Sequence, residues 1–320
     1  MPLTISNFEK VLEKNFLYED NPKIAVGVSG GPDSLALVVL LHQWIIKKNG
    51  YLIALIVDHR IRAESFSESL QTKNFLIGKS INSKILFVNR KKVKNQKLSQ
   101  ARINRFEKLL NYCKKHKIFY LFLGHHFDDN LETFILRKIA GSNFEGLNSM
   151  QFKTILGNTQ ILRPLLFYSK KEILLFNKKL NLPFISDPSN LSTKFTRVAV
   201  RKYLRSNQRK KKEINNEFEF IRNNYYLYKK MIYQVLNLIT IEAKFKKLIF
   251  STKDLFCLNS EFKKNILIKA MKYVNNSDFQ IRSKKVEYLL SRVSKFQNIS
   301  LKTNKTLISR IDEKIIIFKR

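Results

Sequence analysis

From Lys23 onward, short apolar runs alternate with longer stretches of helical periodicity, and this alternation restricts the fold more than any other feature of the 320 residues. IAVGVS (24–29) is followed by LALVVLLHQWII (35–46), and YLIALIVD (51–58) by an amphipathic stretch from Glu64 to Ser80. Strand-like Ile85–Val88 precedes a helix expected over Gln100–His116. Strand-like Phe119–Gly124 precedes one over His126–Ala140, with apolar positions at Leu131, Phe134, Ile135 and Leu136. Strands separated by helices imply a parallel sheet with right-handed crossovers. Unbroken apolar strands such as YLIALIV imply a sheet covered on both faces, and ligands of such sheets bind at the carboxyl ends of the strands.

The periodicity lapses from Gly141 to Gly157, which holds Gly141, Gly146 and Gly157, and a further loop is expected from Pro183 to Asn190; both are read as loops over the active face. Beyond Arg205 the chain turns to long polar helices with a basic run, Arg209, Lys210, Lys211 and Lys212, and near its end to alternating apolar segments such as EKIIIF. The length favours two domains, cut at 1–205 and 206–320, the second smaller, mainly helical and basic.

Hydrophobic residues at 44% and aromatic residues at 12% supply enough material for a core, which argues against a disordered chain. A formal charge of +35, spread over both halves, attracts a polyanion, nucleic acid above all. Abundant Lys, Asn, Ile and Phe would also follow from an A- and T-rich coding sequence, so charge alone does not decide. Cys113 and Cys257 lie far apart with no CxxC pair, which fits a reducing, cytoplasmic setting and offers no zinc or iron-sulfur site. The longest apolar stretch, Leu35–Ile46, is too short to span a bilayer, and residues 1–20 lack a signal-peptide pattern, so no membrane partner is expected.

Three motifs carry chemistry. In IAVGVSGGPDS a strand runs through Ser29, Gly30, Gly31, Pro32, Asp33 and Ser34 directly into a helix. Adjacent glycines let backbone amides approach an anion, the helix N-terminus adds positive dipoles, and Ser29 and Ser34 offer hydroxyl donors, so pyrophosphate is the fitting ligand. The bland alternative is a tight turn capped by Asp33 or Ser34. The string has neither the GK[ST] of a Walker loop nor the GxGxxG of a dinucleotide fold.

The second motif, GHHFDDNLET (124–133), also joins a strand to a helix. Helical spacing would put His125, Asp129 and Glu132 on one face, with His126, Asp129 and Thr133 as an adjacent set. Capping by Asp128 or Asp129 is the bland reading, and Mg²⁺ binding the other. VDHRIR (57–62) and ARINRF (101–106) bring Asp58, His59, Arg102 and Arg105 to the same expected edge of the sheet.

SGGPDS resembles the PP-loop of ATP pyrophosphatases, which cleave ATP to AMP and pyrophosphate. SGGPDS, VDHRIR, ARINRF, GHHFDDNLET, RPLL (163–166) and DPSN (187–190), in that order, resemble the tRNA(Ile)-lysidine synthetase family over roughly residues 20–205. The resemblance implies an α/β PP-loop catalytic domain followed by a tRNA-binding domain. It implies a ligase that uses ATP and Mg²⁺ to adenylate the wobble cytidine of tRNA(Ile) bearing a CAU anticodon, after which L-lysine displaces AMP to give lysidine.

Carried over by motif, Ser29 to Ser34 with Asp58 and His59 would bind ATP, Asp33 and Asp129 would serve Mg²⁺ and catalysis, His126 would contact the reacting phosphate, and Arg102 would support transfer. Asp129 and Glu132, with Arg105, Arg197 and Arg201, would serve lysine and tRNA. Two departures stand out: RVAVR (197–201) keeps both arginines of the family's Arg-Asn-x-hydrophobic-Arg run but loses the polar residue, and the 141–150 loop has fewer glycines. Tyr225, Tyr226 and Tyr228 would either contact RNA or enter the core. The oligomeric state is left open, a homodimer among the options. Alternatives are a PP-loop tRNA thiolase, disfavoured by the two separated cysteines, a glutamine-dependent amidotransferase, disfavoured by the lack of an amidase domain, and a non-catalytic RNA-binding protein.

Overall fold

The computed structural model describes residues 2–58, 65–88, 98–184, 196–276, 281, 283–303 and 305–320. The expected alternation forms as β1 (Lys23–Val28), α2 (Pro32–Lys47), β2 (Tyr51–Asp58), α3 (Ser65–Gly78), β3 (Ser83–Phe87), α4 (Leu98–Lys115), β4 (Tyr120–Leu123) and α5 (Phe127–Ile139), preceded by α1 (Ile5–Asn15). His59, the RIR of VDHRIR, and DPSN lie outside the described residues.

Where periodicity lapses, the chain still forms short elements: α6 (Phe144–Leu147), β5 (Lys153–Leu156) and β6 (Thr159–Leu162). The β5–β6 hairpin turns at Gly157, whose φ of 57° is left-handed. A 3-10 turn over Pro164–Phe167, α7 (Lys170–Lys179) and α8 (Thr196–Ser206) follow.

The sheet runs β3-β2-β1-β4-β6-β5, parallel throughout except for the antiparallel β5 edge. β1 shows why it must be covered twice. Ile24, Val26 and Val28 point into a core shared with α1, α2 and α7, whereas Ala25 points into a second core with Leu109 and Cys113 of α4. The α/β class expected from sequence is therefore observed.

Two compact units are present: residues 1–133 with 150–206, and residues 134–149 with 207–320. A single cut after Arg205 does not describe this division, because 134–149 pack with the C-terminal residues. Phe134 lies 5.2 Å from the ring of Phe218 and Phe144 4.4 Å from Tyr228, and Asn143 Nδ2 donates to Asn265 Oδ1 at 2.6 Å. Apolar side chains of this segment find partners far along the chain.

The second unit contains α9 (Gln208–Ile239), β7 (Thr240–Lys244), β8 (Lys247–Ser251), α10 (Thr252–Cys257), α11 (Ser260–Asn275), α12 (Ser283–Lys295), β9 (Asn298–Lys302), β10 (Thr306–Ile311) and β11 (Lys314–Lys319). Its helices outweigh its strands, yet the strands form one antiparallel sheet, β7-β8-β11-β10-β9. β11 is the EKIIIF segment, one of the alternating apolar segments expected near the end of the chain. Tyr228 belongs to the packing here and its hydroxyl accepts from Asn265 Nδ2 at 2.7 Å, whereas Tyr226 is exposed. Among the described residues no helix is long and apolar enough to cross a membrane.

Phe122, fully buried in central β4 with its ring 5.5 Å edge-on to Phe16, tests the first core. Phe122→Ala is expected to destabilise the fold by about 3–5 kcal/mol in urea titration; a loss well under 1 kcal/mol would show that the packing around β4 is not as described.

Candidate functional site

β1 and β4 are parallel neighbours, so their carboxyl ends lie side by side, and both chemical motifs begin there. At the end of β1 the chain turns through Gly30 at φ 80°, which favours glycine, and enters α2 with Pro32 in its first turn. Gly31 is the N-cap and offers no side-chain acceptor, so no side chain of the cap residue claims the first amides of α2. Ser34 staples the loop: its Oγ accepts from the Ser29 amide at 3.1 Å and donates to the Gly31 carbonyl at 3.0 Å. Ser29 Oγ lies 3.3 Å from Ser34 Oγ. The hydroxyl of Ser34, expected as a phosphate donor, thus has a structural role inside the loop.

Gly124, at the end of β4, lies against the same loop. A Cβ there would come within 3.2 Å of the Asp33 carbonyl carbon and oxygen and of the Ser34 nitrogen. The absent side chain is what lets the second motif meet the first.

His126 is the N-cap of α5, and its capping is reciprocal. Its Nδ1 accepts from the Asp129 amide at 3.3 Å while Asp129 Oδ2 accepts from the His126 amide at 3.2 Å. With Nδ1 used as an acceptor, neutral His126 carries its proton on Nε2. Nε2 faces Asp129 Oδ2 at 3.4 Å and Asp33 Oδ1 at 3.9 Å, and Asp128 Oδ2 is 3.9 Å from Nδ1. Three carboxylates therefore surround one buried imidazole. The capping reading of Asp129 holds, and the same cap aims the histidine.

His125 precedes the helix, so the expected face of His125, Asp129 and Glu132 does not form as a helical stripe. It faces the opposite charge: Nε2 is 3.5 Å from Arg102 Nη2. Burial first, then Arg163, Arg102 and Arg197, push its pKa down to about 3, which leaves it neutral. Arg163, from RPLL, is buried; its Nη1 donates to the Gln151 carbonyl at 3.0 Å and to Thr154 Oγ1 at 2.9 Å, and burial and then Arg102 lower its pKa to about 10. Loss of solvent and then Arg197 lower the pKa of Arg102 as well. Adjacent histidines thus mark two fields, acidic around His126 and basic around His125.

Both arginines of RVAVR, on α8, reach α5. Arg201 grips Glu132 bidentately, Nε to Oε1 at 2.7 Å and Nη2 to Oε2 at 3.1 Å, and lies 4.0 Å from Asp129 Oδ1. Arg197 Nη2 donates to Thr133 Oγ1 at 3.1 Å. The Glu132 carboxylate is therefore buried and matched by Arg201. Asp58 ends β2, buried, and accepts from the Ser65 hydroxyl at 2.8 Å. Arg105 is exposed on α4, three residues beyond Arg102.

Lys170 escaped the sequence reading. Its Nζ donates to Asp33 Oδ1 at 2.6 Å, and its backbone amide donates to Asp128 Oδ2 at 2.7 Å. The SKKE capping box made the start of a helix there legible, but nothing local pointed to Asp33, 137 residues away.

Among the described residues no group of three His, Cys, Asp or Glu side chains is arranged to hold a metal ion. Asp33 and Asp129 both lie within 4 Å of His126 Nε2, at 3.9 and 3.4 Å. Two carboxylates completed by phosphate oxygens fit Mg²⁺, which keeps few protein ligands.

A family model of the PP-loop domain matches residues 4–208. The chain belongs to the PP-loop family. It is similar to the tRNA(Ile)-lysidine synthase of Orientia tsutsugamushi, 36% identical over 200 residues that make up 62% of this chain and 45% of that one. It is also similar to the tRNA(Ile)-lysidine synthase of Wolbachia pipientis, 37% identical over 205 residues, 62% of this chain and 46% of that one. The chain thus aligns with less than half the length of these relatives. Among solved structures, a U34-tRNA thiolase from Methanococcus maripaludis superposes with a TM-score of 0.57 at 22% identity, over 68% of this chain and 78% of that one. This likeness shows a shared fold.

His125 makes the PP-loop site sensitive to acid. An unfolded histidine titrates near 6.5 and the folded one near 3, so as pH falls the unfolded state takes up the proton first. Stability that is complete above pH 6.5 is therefore lost progressively towards pH 3. Between pH 7 and 5 the wild type is expected to lose about 2 kcal/mol more than His125→Gln in urea titration. Parallel pH profiles for the two proteins would rule out a His125 held neutral in the fold.

Proposed function

We propose that this chain activates a tRNA nucleotide with ATP and joins lysine to it, as a tRNA(Ile)-lysidine synthetase acting on the wobble cytidine of tRNA(Ile) with a CAU anticodon. The observation that carries this reading is the meeting of the SGGPDS loop and the HHFDD helix start on His126, with Asp33 and Asp129 on the same imidazole nitrogen. The similarity to proteins named tRNA(Ile)-lysidine synthase supports the substrate.

In the adenylation step, cytidine O2 attacks the α-phosphorus of ATP, the bond to the β-phosphate oxygen breaks, and its electron pair leaves with pyrophosphate. The amides of Gly30, Gly31, Asp33 and Ser34 and the N-terminus of α2 oppose the phosphate charge. His126 offers its Nε2 proton to a phosphate oxygen, since Nδ1 is engaged by Asp129. Asp33 and Asp129 are the residues that would hold Mg²⁺, which supplies charge neutralisation at the phosphates.

In the second step the lysine amine attacks C2 of the cytidine, the C2–O bond breaks, AMP leaves and the amine loses a proton. Asp129 is the better carboxylate for the lysine cation, because Glu132 is already neutralised by Arg201. Arg102, Arg163 and Arg197, gathered near neutral His125, supply the positive field for a nucleotide phosphate. The basic C-terminal residues, 206–320, are assigned to tRNA binding, and the chain excess of +35 suits that role. A thiolase would need a reactive thiol, but burial pushes Cys113 up to about 12 and Cys257 lies in the other unit.

Incubation with ATP, Mg²⁺, labelled lysine and this tRNA is expected to put label into the RNA, with methionine tRNA as the control. Asp33→Ala and Asp129→Asn are expected to lower the rate by about two orders of magnitude or more. AMP release without label would keep the ATP chemistry and point to another nucleophile, while no ATP turnover at all would sink the reading.

A further inference from the structure

α7 begins with unusual firmness. Ser169 and Glu172 form a complete capping box, the Glu172 amide donating to Ser169 Oγ at 3.3 Å and the Ser169 amide to Glu172 Oε2 at 2.7 Å. The next amide, that of Lys170, is tied to Asp128 Oδ2 at 2.7 Å. Two turns on, buried Asn177 donates to the carbonyl of Pro32, the first residue of α2, at 2.9 Å. These bonds hold α7 against the starts of α2 and α5, and they deliver the Lys170 ammonium to Asp33 in the first turn of α2.

A half-exposed ion pair stabilises a fold only slightly, so its stabilising effect is a weak reason for so fixed a lysine. Its position supplies a better one. The amides that face phosphate belong to the same turn as Asp33, and an ammonium on a flexible stem can exchange a carboxylate oxygen for a phosphate oxygen without losing its charge. Resting on the ATP chemistry proposed above, we propose that Lys170 is a catalytic residue that binds the β- and γ-phosphates and stabilises the departing pyrophosphate.

As the bond from the α-phosphorus to the β-phosphate oxygen breaks, negative charge gathers on the leaving group, next to the ammonium, and the interaction strengthens in the transition state. Lys170 keeps its protons throughout; it neither donates nor accepts one. Asp128, which holds the Lys170 backbone, is a positioning residue in this scheme.

Titration calorimetry of the full chain with magnesium pyrophosphate, magnesium ATP and AMP separates this role from a structural one. Lys170→Ala is expected to weaken pyrophosphate and ATP by about 10- to 100-fold and to leave AMP unchanged, with Lys170→Arg recovering most of the loss. If the alanine variant does not fold, Lys170→Gln carries the same comparison. Unchanged pyrophosphate binding, or an equal loss for AMP, overturns the role of Lys170 while wild-type ATP binding keeps the nucleotide reading intact. A wild-type chain that binds neither ATP nor pyrophosphate overturns both.

Discussion

The close approach of β4's end to the start of α2 is the constraint on which the rest of the site depends. Gly124 has no side chain, and a single added carbon would press within 3.2 Å of the Asp33 and Ser34 backbone. Because that contact is made, α5 starts beside α2, and His126 can lie within 4 Å of carboxylates on both, at 3.9 Å from Asp33 and 3.4 Å from Asp129. α7 joins them through Asp128 and Asp33. Three helix N-termini, each favouring negative charge, are thus brought together with carboxylates in their first turns.

The two histidines of the site sit in different charge environments, although Lys170 and Arg201 pair with carboxylates on the acidic side. Two consecutive histidines face different elements: the carboxylates of α2 and α5 surround His126, and the guanidiniums of Arg102, Arg163 and Arg197 act on His125. The acidic side suits cations and the basic side anions. Keeping His125 neutral spares the basic side a fourth positive charge. The clasp of Arg201 on Glu132 serves a related end, since it ties α8 to α5 while removing a buried carboxylate from competition for cations.

Much of this was legible in the sequence. The strand–helix alternation predicts a parallel sheet and puts the two motifs at its carboxyl edge. The stretch 141–157 reads as loop because its elements are four residues long, too short for a period to show, and Phe134 and Phe144 find aromatic partners at Phe218 and Tyr228. The antiparallel sheet of the second unit is only partly legible: segments such as EKIIIF mark β11, but β7, TIEAK, has little apolar content.

Periodicity and local motif chemistry are properties of neighbouring residues, and they determined the α/β class and the strand-to-helix turns that begin at Ser29 and Gly124. Pairings across more than a hundred residues have no local trace. That Lys170 reaches Asp33, that His125 lies among arginines, and that the hydroxyl of Ser34 turns inward were decided only when the sheet brought these segments together. A side chain's partner depends on which strands are neighbours, and strand order is a property of the packed chain.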